Sequence, residues 1–148
     1  MRWIKVLLKT IVLTTAVLLV MQLIPYGRAH SNPPVVAEPN WDRPATRQLA
    51  VRACFNCHSN QTEWPWYSHV APFSWVVQRN VDTARTVLNF SDWSRSYELI
   101  SAAPATVLMR EMPPRTYRVM HPEAQLTEAE KIELARGLQA TFGLPQRD

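Results

Sequence analysis

Two cysteines, three glycines and four histidines are a sparse endowment for 148 residues, and they stand against 12 prolines. Few glycines and many prolines predict stiff, extended joints between short helices and argue against long β-strands. There is no P-loop, no Ser-His-Asp order and no carboxylate cluster suited to a metal ion. Excess charge is missing as well. Of the 16 Lys and Arg, Arg2, Lys5 and Lys9 fall in the first nine residues, which leaves 13 against 12 Asp and Glu. The basic pI of about 9.4 therefore belongs to the N-terminus. A near-neutral remainder gives no support for a nucleic-acid partner, which calls for a basic stripe.

The two cysteines are not scattered. They fall in "ACFNCHSN", residues 53–60, as Cys54 and Cys57 with His58 directly after. Random placement gives that order only about 4 times in ten thousand. Three chemistries use such spacing. A dithiol redox pair needs no histidine and usually lies beside a β-α-β pattern, which is missing here. Zinc takes four ligands, normally with a second close pair, whereas His30, His69 and His121 are far apart and in unlike contexts. C-x-x-C-H is the signature of covalent haem c attachment, with Cys54 and Cys57 as thioethers to the porphyrin vinyls and His58 as proximal iron ligand. One motif predicts one haem.

Residues 1–25 read as a membrane anchor or signal segment. The charge-free run "TIVLTTAVLLVMQLI" stops at Pro25. Alone it is shorter than the roughly 20 residues a bilayer takes. Adding Trp3 to Lys9, with the lysine stems snorkelling, makes it long enough. Positive charge ahead of the run predicts a cytoplasmic N-terminus and an exported remainder, facing the periplasm or exterior of a bacterial cell. The following "PYGRAHSNPP" lacks the small-residue pattern of a cleavage site, which favours an uncleaved anchor. Residues 26–40, with Pro33, Pro34 and Pro39, read as an extended linker, and residues 41–148 as one haem-binding domain.

Within that domain, "WDRPATRQLAVRACFNCH" predicts a helix that delivers the motif, with Asp42 as N-cap, Pro44 in the first turn and Leu49, Ala50 and Ala53 on an apolar face. A second helix is predicted from about Pro72 to Leu88. Ser91 is expected to cap a short helix, Pro104 to break it, and a further turn or two to run from Ala105 toward Met112. The terminal helix is the best defined: Thr127 and Glu130 form a T-x-x-E capping box, Leu134, Leu138 and Phe142 a core face, and Gly143 the stop.

An electron-transfer haem normally carries a ligand on each face of the iron. The candidates are Met109, Met112, Met120, His30, His69 and His121. Met112 is preferred because Pro113 and Pro114 end the preceding helix and pass the chain into a stiff extended segment, which limits the entropy a weak thioether ligand must overcome. His69 is the first histidine alternative, a structural turn suits His121 better, and Met109, Met120 and a vacant sixth position stay open. A methionine raises the potential relative to two histidines, which suits an electron carrier. An open or labile sixth site suits a haem-based sensor or peroxidase. Trp64, Trp66, Tyr67, Phe73 and Trp75, clustered after the motif, are suited to covering a porphyrin. Arg79, Arg85, Arg115 and Arg118, with Tyr117, are suited to its propionates.

Taken together, "CFNCHSNQTEWPWYSHVAPFSW", "LNFSDW" and "MPPRTYRVMHPEAQLTEAE" resemble the bacterial haem-binding domain family over about residues 32–142. The resemblance implies one covalent haem c on Cys54 and Cys57, His58 as proximal ligand and Met112 as the natural distal one. The expectation is all-α: a small cytochrome-c-like helical domain around one haem, preceded by a single N-terminal transmembrane helix. Its function is expected to be that of a membrane-anchored monohaem c-type cytochrome, passing single electrons between redox protein partners and acting as a carrier more than a catalyst. A sensor or peroxidase is the alternative, and a dithiol oxidoreductase the third class.

Overall fold

A computed structural model describes residues 2–145, which form helices and turns with no β-strand. Two compact units share the chain. Unit 1 takes it up to Ser31 and again from Trp64 to Asn80, and unit 2 takes Asn32–Glu63 and everything from Val81 onward.

Unit 1 begins with α1, Arg2–Met21, which is long and apolar enough to cross a membrane by length and composition. At about 1.5 Å per residue its 20 residues span about 30 Å, the thickness of a hydrocarbon core. Where the apolar run ends, the Gln22 side chain is fully engaged. Its Nε2 donates to the Leu18 and Ala71 carbonyls (3.0 and 2.9 Å), and its Oε1 accepts from the Ala71 N–H and Arg28 (3.0 and 2.9 Å). Five residues on, Gly27 has φ +78° and runs so close to Ser74 that a Cβ would collide with the Ser74 carbonyl. Only glycine meets both conditions without strain. A 3₁₀ turn, Trp66–His69, and the first half of α4, Phe73–Val87, complete this unit.

Unit 2 contains α2 (Pro44–Ala53), α3 (Phe55–His58), α5 (Ala103–Leu108), α6 (Arg115–Met120) and α7 (Glu128–Thr141). Helix α7 packs on α5 and α2, and Gly137 of α7 lies where a Cβ would run into the Thr46 side chain of α2. The core gathers Leu49, Phe55, Phe90, Val107, Leu134 and Leu138. An aromatic stack runs through it, with ring centroids 5.4 Å apart for Phe55 and Phe90 and 5.3 Å for Trp93 and Phe142. The expected all-helical architecture with one N-terminal apolar helix is what the chain adopts.

Several local expectations change. Asp42 does not cap α2: Arg43 holds the N-cap position without a side-chain cap, and the Asp42 carboxylate pairs with Arg43 and accepts from the Thr141 hydroxyl. Ser91 caps no helix, because its Oγ accepts the Asn60 N–H and its carbonyl accepts the N–H groups of Val36 and Ala37. Residues 92–99 accordingly form turns, with Ala37 bridged to Asp92. Pro104 sits in the first turn of α5, where its missing N–H costs nothing, so it starts a helix where a break was predicted. Helix α5 stops at Leu108, and Pro113 and Pro114 lead directly into α6, because a fixed φ near −65° is as good a helix start as a helix stop.

Candidate functional site

Helix α2 delivers the motif as predicted. The Cys54 N–H donates to the Ala50 carbonyl (2.8 Å), and the Cys54 carbonyl accepts from both Cys57 and His58 N–H groups (3.1 and 2.8 Å). Both thiols and the imidazole therefore belong to one helical turn that starts afresh at Cys54, and both cysteines are free thiols.

His58 is held twice by the segment after α4. Its carbonyl accepts the Phe90 N–H (2.8 Å), and its ring Nδ1 lies 2.9 Å from the Leu88 carbonyl. A carbonyl only accepts, so Nδ1 carries the proton and the neutral ring keeps its lone pair on Nε2. Burial holds the His58 pKa below its ordinary value, with the Leu88 and Ala84 carbonyls pulling the other way. This is the tautomer and charge state of a metal-binding imidazole, with the second ring nitrogen anchored to a backbone carbonyl.

The same segment is locked by buried polar side chains. The Asn89 Nδ2 donates to the Asn60 Oδ1 and its Oδ1 accepts the Ser91 N–H (both 2.9 Å), while Ser91 Oγ takes the Asn60 N–H (3.0 Å). Arg85 adds a charged tie: its Nε donates to the Ser59 carbonyl (2.8 Å) and its Nη2 to Asn32 and Thr62 (both 3.0 Å). Leu88, Phe90 and Asn89 are the supporting residues that reading the sequence missed as such. The quoted "LNFS" was the one signal available for them.

Burial pushes the Cys54 thiol up to about 12, with Cys57 adding to the effect, and raises Cys57 as well against the opposing pull of Arg85. A redox-active dithiol needs the reverse, a thiolate stabilised at neutral pH. Among the described residues no group of three or more His, Cys, Asp and Glu is arranged to hold a metal ion.

Met112 lies in unit 2, on the turn after α5. Arg110, at φ +61°, reverses the helix there, and Glu111 and Met112 both donate their N–H to the Thr106 carbonyl (3.0 and 3.1 Å). Of the three methionines in this region Met112 is the least exposed, at 39% against 69% for Met109 and 55% for Met120. The first histidine alternative, His69, belongs to unit 1, where its ring meets His30 edge-on at 4.3 Å and His30 stacks on Trp64 at 4.6 Å. His121 stacks on Tyr117 at 4.1 Å and bonds Glu123. The Tyr117 hydroxyl accepts from Asn56 (2.8 Å). Trp66 and Phe73 of the aromatic cluster are exposed on unit 1.

Haem suits this donor set. Two neighbouring thiols and an imidazole whose Nδ1 is anchored on a backbone carbonyl sit on one turn. A family model described as a haem-binding domain matches residues 16–140. No curated protein and no solved structure gave a match.

Proposed function

The chain belongs to the haem-binding domain family, and from that membership we propose that it is a membrane-anchored monohaem c-type cytochrome, carrying single electrons outside the cytoplasmic membrane. Cys54 and Cys57 would hold the porphyrin as thioethers, and His58 Nε2 and the Met112 sulfur would be the ligands to its iron. Bound there, the haem contributes a one-electron ferric/ferrous couple. The residues tune it. A carbonyl on Nδ1 raises the basicity of the His58 ring, and a thioether ligand would favour the ferrous state.

The observation that carries this reading is the Leu88 carbonyl on His58 Nδ1, one turn from two free thiols. It holds the ring in the orientation and tautomer that an iron ligand would need.

Intact mass and the reduced absorption spectrum of the exported protein, made in a host competent in cytochrome c maturation, test it. Wild type is expected to carry one haem per chain through denaturation, and Cys54→Ser/Cys57→Ser to lose it. A wild-type chain at bare polypeptide mass with no haem c band ends the proposal. A covalently loaded chain with a high-spin, five-coordinate ferric spectrum replaces the electron carrier with the sensor or peroxidase alternative.

A further inference from the structure

Charge is divided between the two units in a way their sizes do not explain. The stretches that make unit 1, residues 1–31 and 64–80, contain no Asp or Glu at all, while Arg2, Lys5, Lys9, Arg28 and Arg79 fall within them. All 12 acidic residues lie in the stretches that make unit 2. A surface without a single carboxylate suits an anionic lipid headgroup layer.

The same unit holds apolar side chains in the open. Trp66 is 77% exposed and Phe73 59%, with Val70 and Val76 exposed beside them. Their level relative to α1 is fixed by Gln22, whose amide makes a two-way pair with the Ala71 backbone, and by the close passage of Gly27 past Ser74. Since α1 alone accounts for a hydrocarbon thickness, Gln22 marks the headgroup level, and Ala71 comes with it. Trp66 and Phe73 are five and two residues from Ala71. Aromatic side chains at that depth are the interfacial belt of membrane proteins.

We propose that the Trp64–Val76 stretch is a lipid-facing platform, lying in the headgroup layer of the bilayer that α1 crosses, with Trp66 and Phe73 in the interface and anionic headgroups beside Arg28 and Arg79. This rests on the reading of α1 as a membrane span. The platform makes residues 22–31 part of a folded, membrane-seated unit, so the apolar helix is an anchor that stays.

The test uses the full-length haem-loaded chain in vesicles of phosphatidylcholine and phosphatidylglycerol, with and without phospholipid brominated near the headgroup. Subtracting the emission of Trp66→Phe from wild type isolates Trp66, and Trp3→Phe isolates Trp3 on α1 in the same way. Comparing brominated with plain vesicles cancels quenching by the haem. Both difference signals are expected to fall about twofold or more in brominated vesicles, as interfacial tryptophans do. Trp3 quenched beside an unaffected Trp66 overturns the platform and leaves the anchor standing, which is also the result if this face is kept for a protein partner. Neither tryptophan quenched removes the anchor and the platform with it.

Discussion

His58 is gripped through both its main chain and its ring by residues 88–90, thirty positions further along. An imidazole anchored in this way cannot rotate away from a metal without losing a hydrogen bond, which is how a ligand stays in register. On the other face the proposed donor is Met112, and its neighbour provides the comparison. Met112→Ala is expected to convert a low-spin ferric spectrum to high-spin, whereas Met109→Ala, at a far more exposed position, leaves it unchanged. An unaltered spectrum in Met112→Ala moves the assignment to another donor, His69 first. Arg85 acts on Cys57 through its charge and on the surrounding backbone through hydrogen bonds. Replacing it with Met removes three hydrogen bonds to Ser59, Asn32 and Thr62, and is expected to lower the unfolding free energy by about 2–3 kcal/mol in urea titrations.

Among the elements, α2 and α7 decide how the motif is held, because α2 leads directly into Cys54. Their crossing depends on a hydrogen atom at Gly137. Gly137→Ala drives a methyl into Thr46 and is expected to cost about 1–3 kcal/mol, despite the better helix propensity of alanine. Thr46→Ala in the same chain recovers part of that loss, and a higher melting temperature in Gly137→Ala alone contradicts the close approach. The two helices are also tied by Arg52 and Glu130. The Thr127 backbone N–H, followed by Arg52 and the Thr127 hydroxyl, holds the Glu130 carboxyl at about 2, below an ordinary value of 4.5. A depressed carboxyl stabilises the fold above its unfolded pKa, so this contribution is complete above about 4.5 and fades as pH falls through about 2. Acid unfolding of Glu130→Gln is therefore expected to show a shallower slope between those limits than wild type. The elements legible in the sequence were those specified locally: the capping box and Gly143 of α7, Pro44 opening α2, and the Cys54–Cys57–His58 spacing. What escaped was specified by distance or by the backbone. Leu88 contributes a carbonyl, a group every residue has, and Gln22 meets Ala71 across 49 positions. Pro104 and Pro114 open helices where breaks were expected, since the same locked φ serves both purposes and only the surrounding fold chooses.

For the molecule as a whole, the proposed orientation depends on three side chains. Arg2, Lys5 and Lys9 precede the apolar run and, in that orientation, would retain the N-terminus in the cytoplasm. With alkaline phosphatase fused after the haem domain, the wild-type chain is expected to give active enzyme. Arg2→Gln/Lys5→Gln/Lys9→Gln is expected to lose activity several-fold, along with haem attachment, because both require export.

The chain enters unit 1, leaves it at Ser31 and returns only at Trp64, so the stretch with both thiols is synthesised between the two halves of that unit. Gln22 must wait for Ala71, and Ser59 for Arg85, long after Cys54, Cys57 and His58 have emerged. Under the proposed haem c attachment, an attaching enzyme would meet those residues as an open strand, with loading ahead of closure: the threading of the polypeptide would set the order of events.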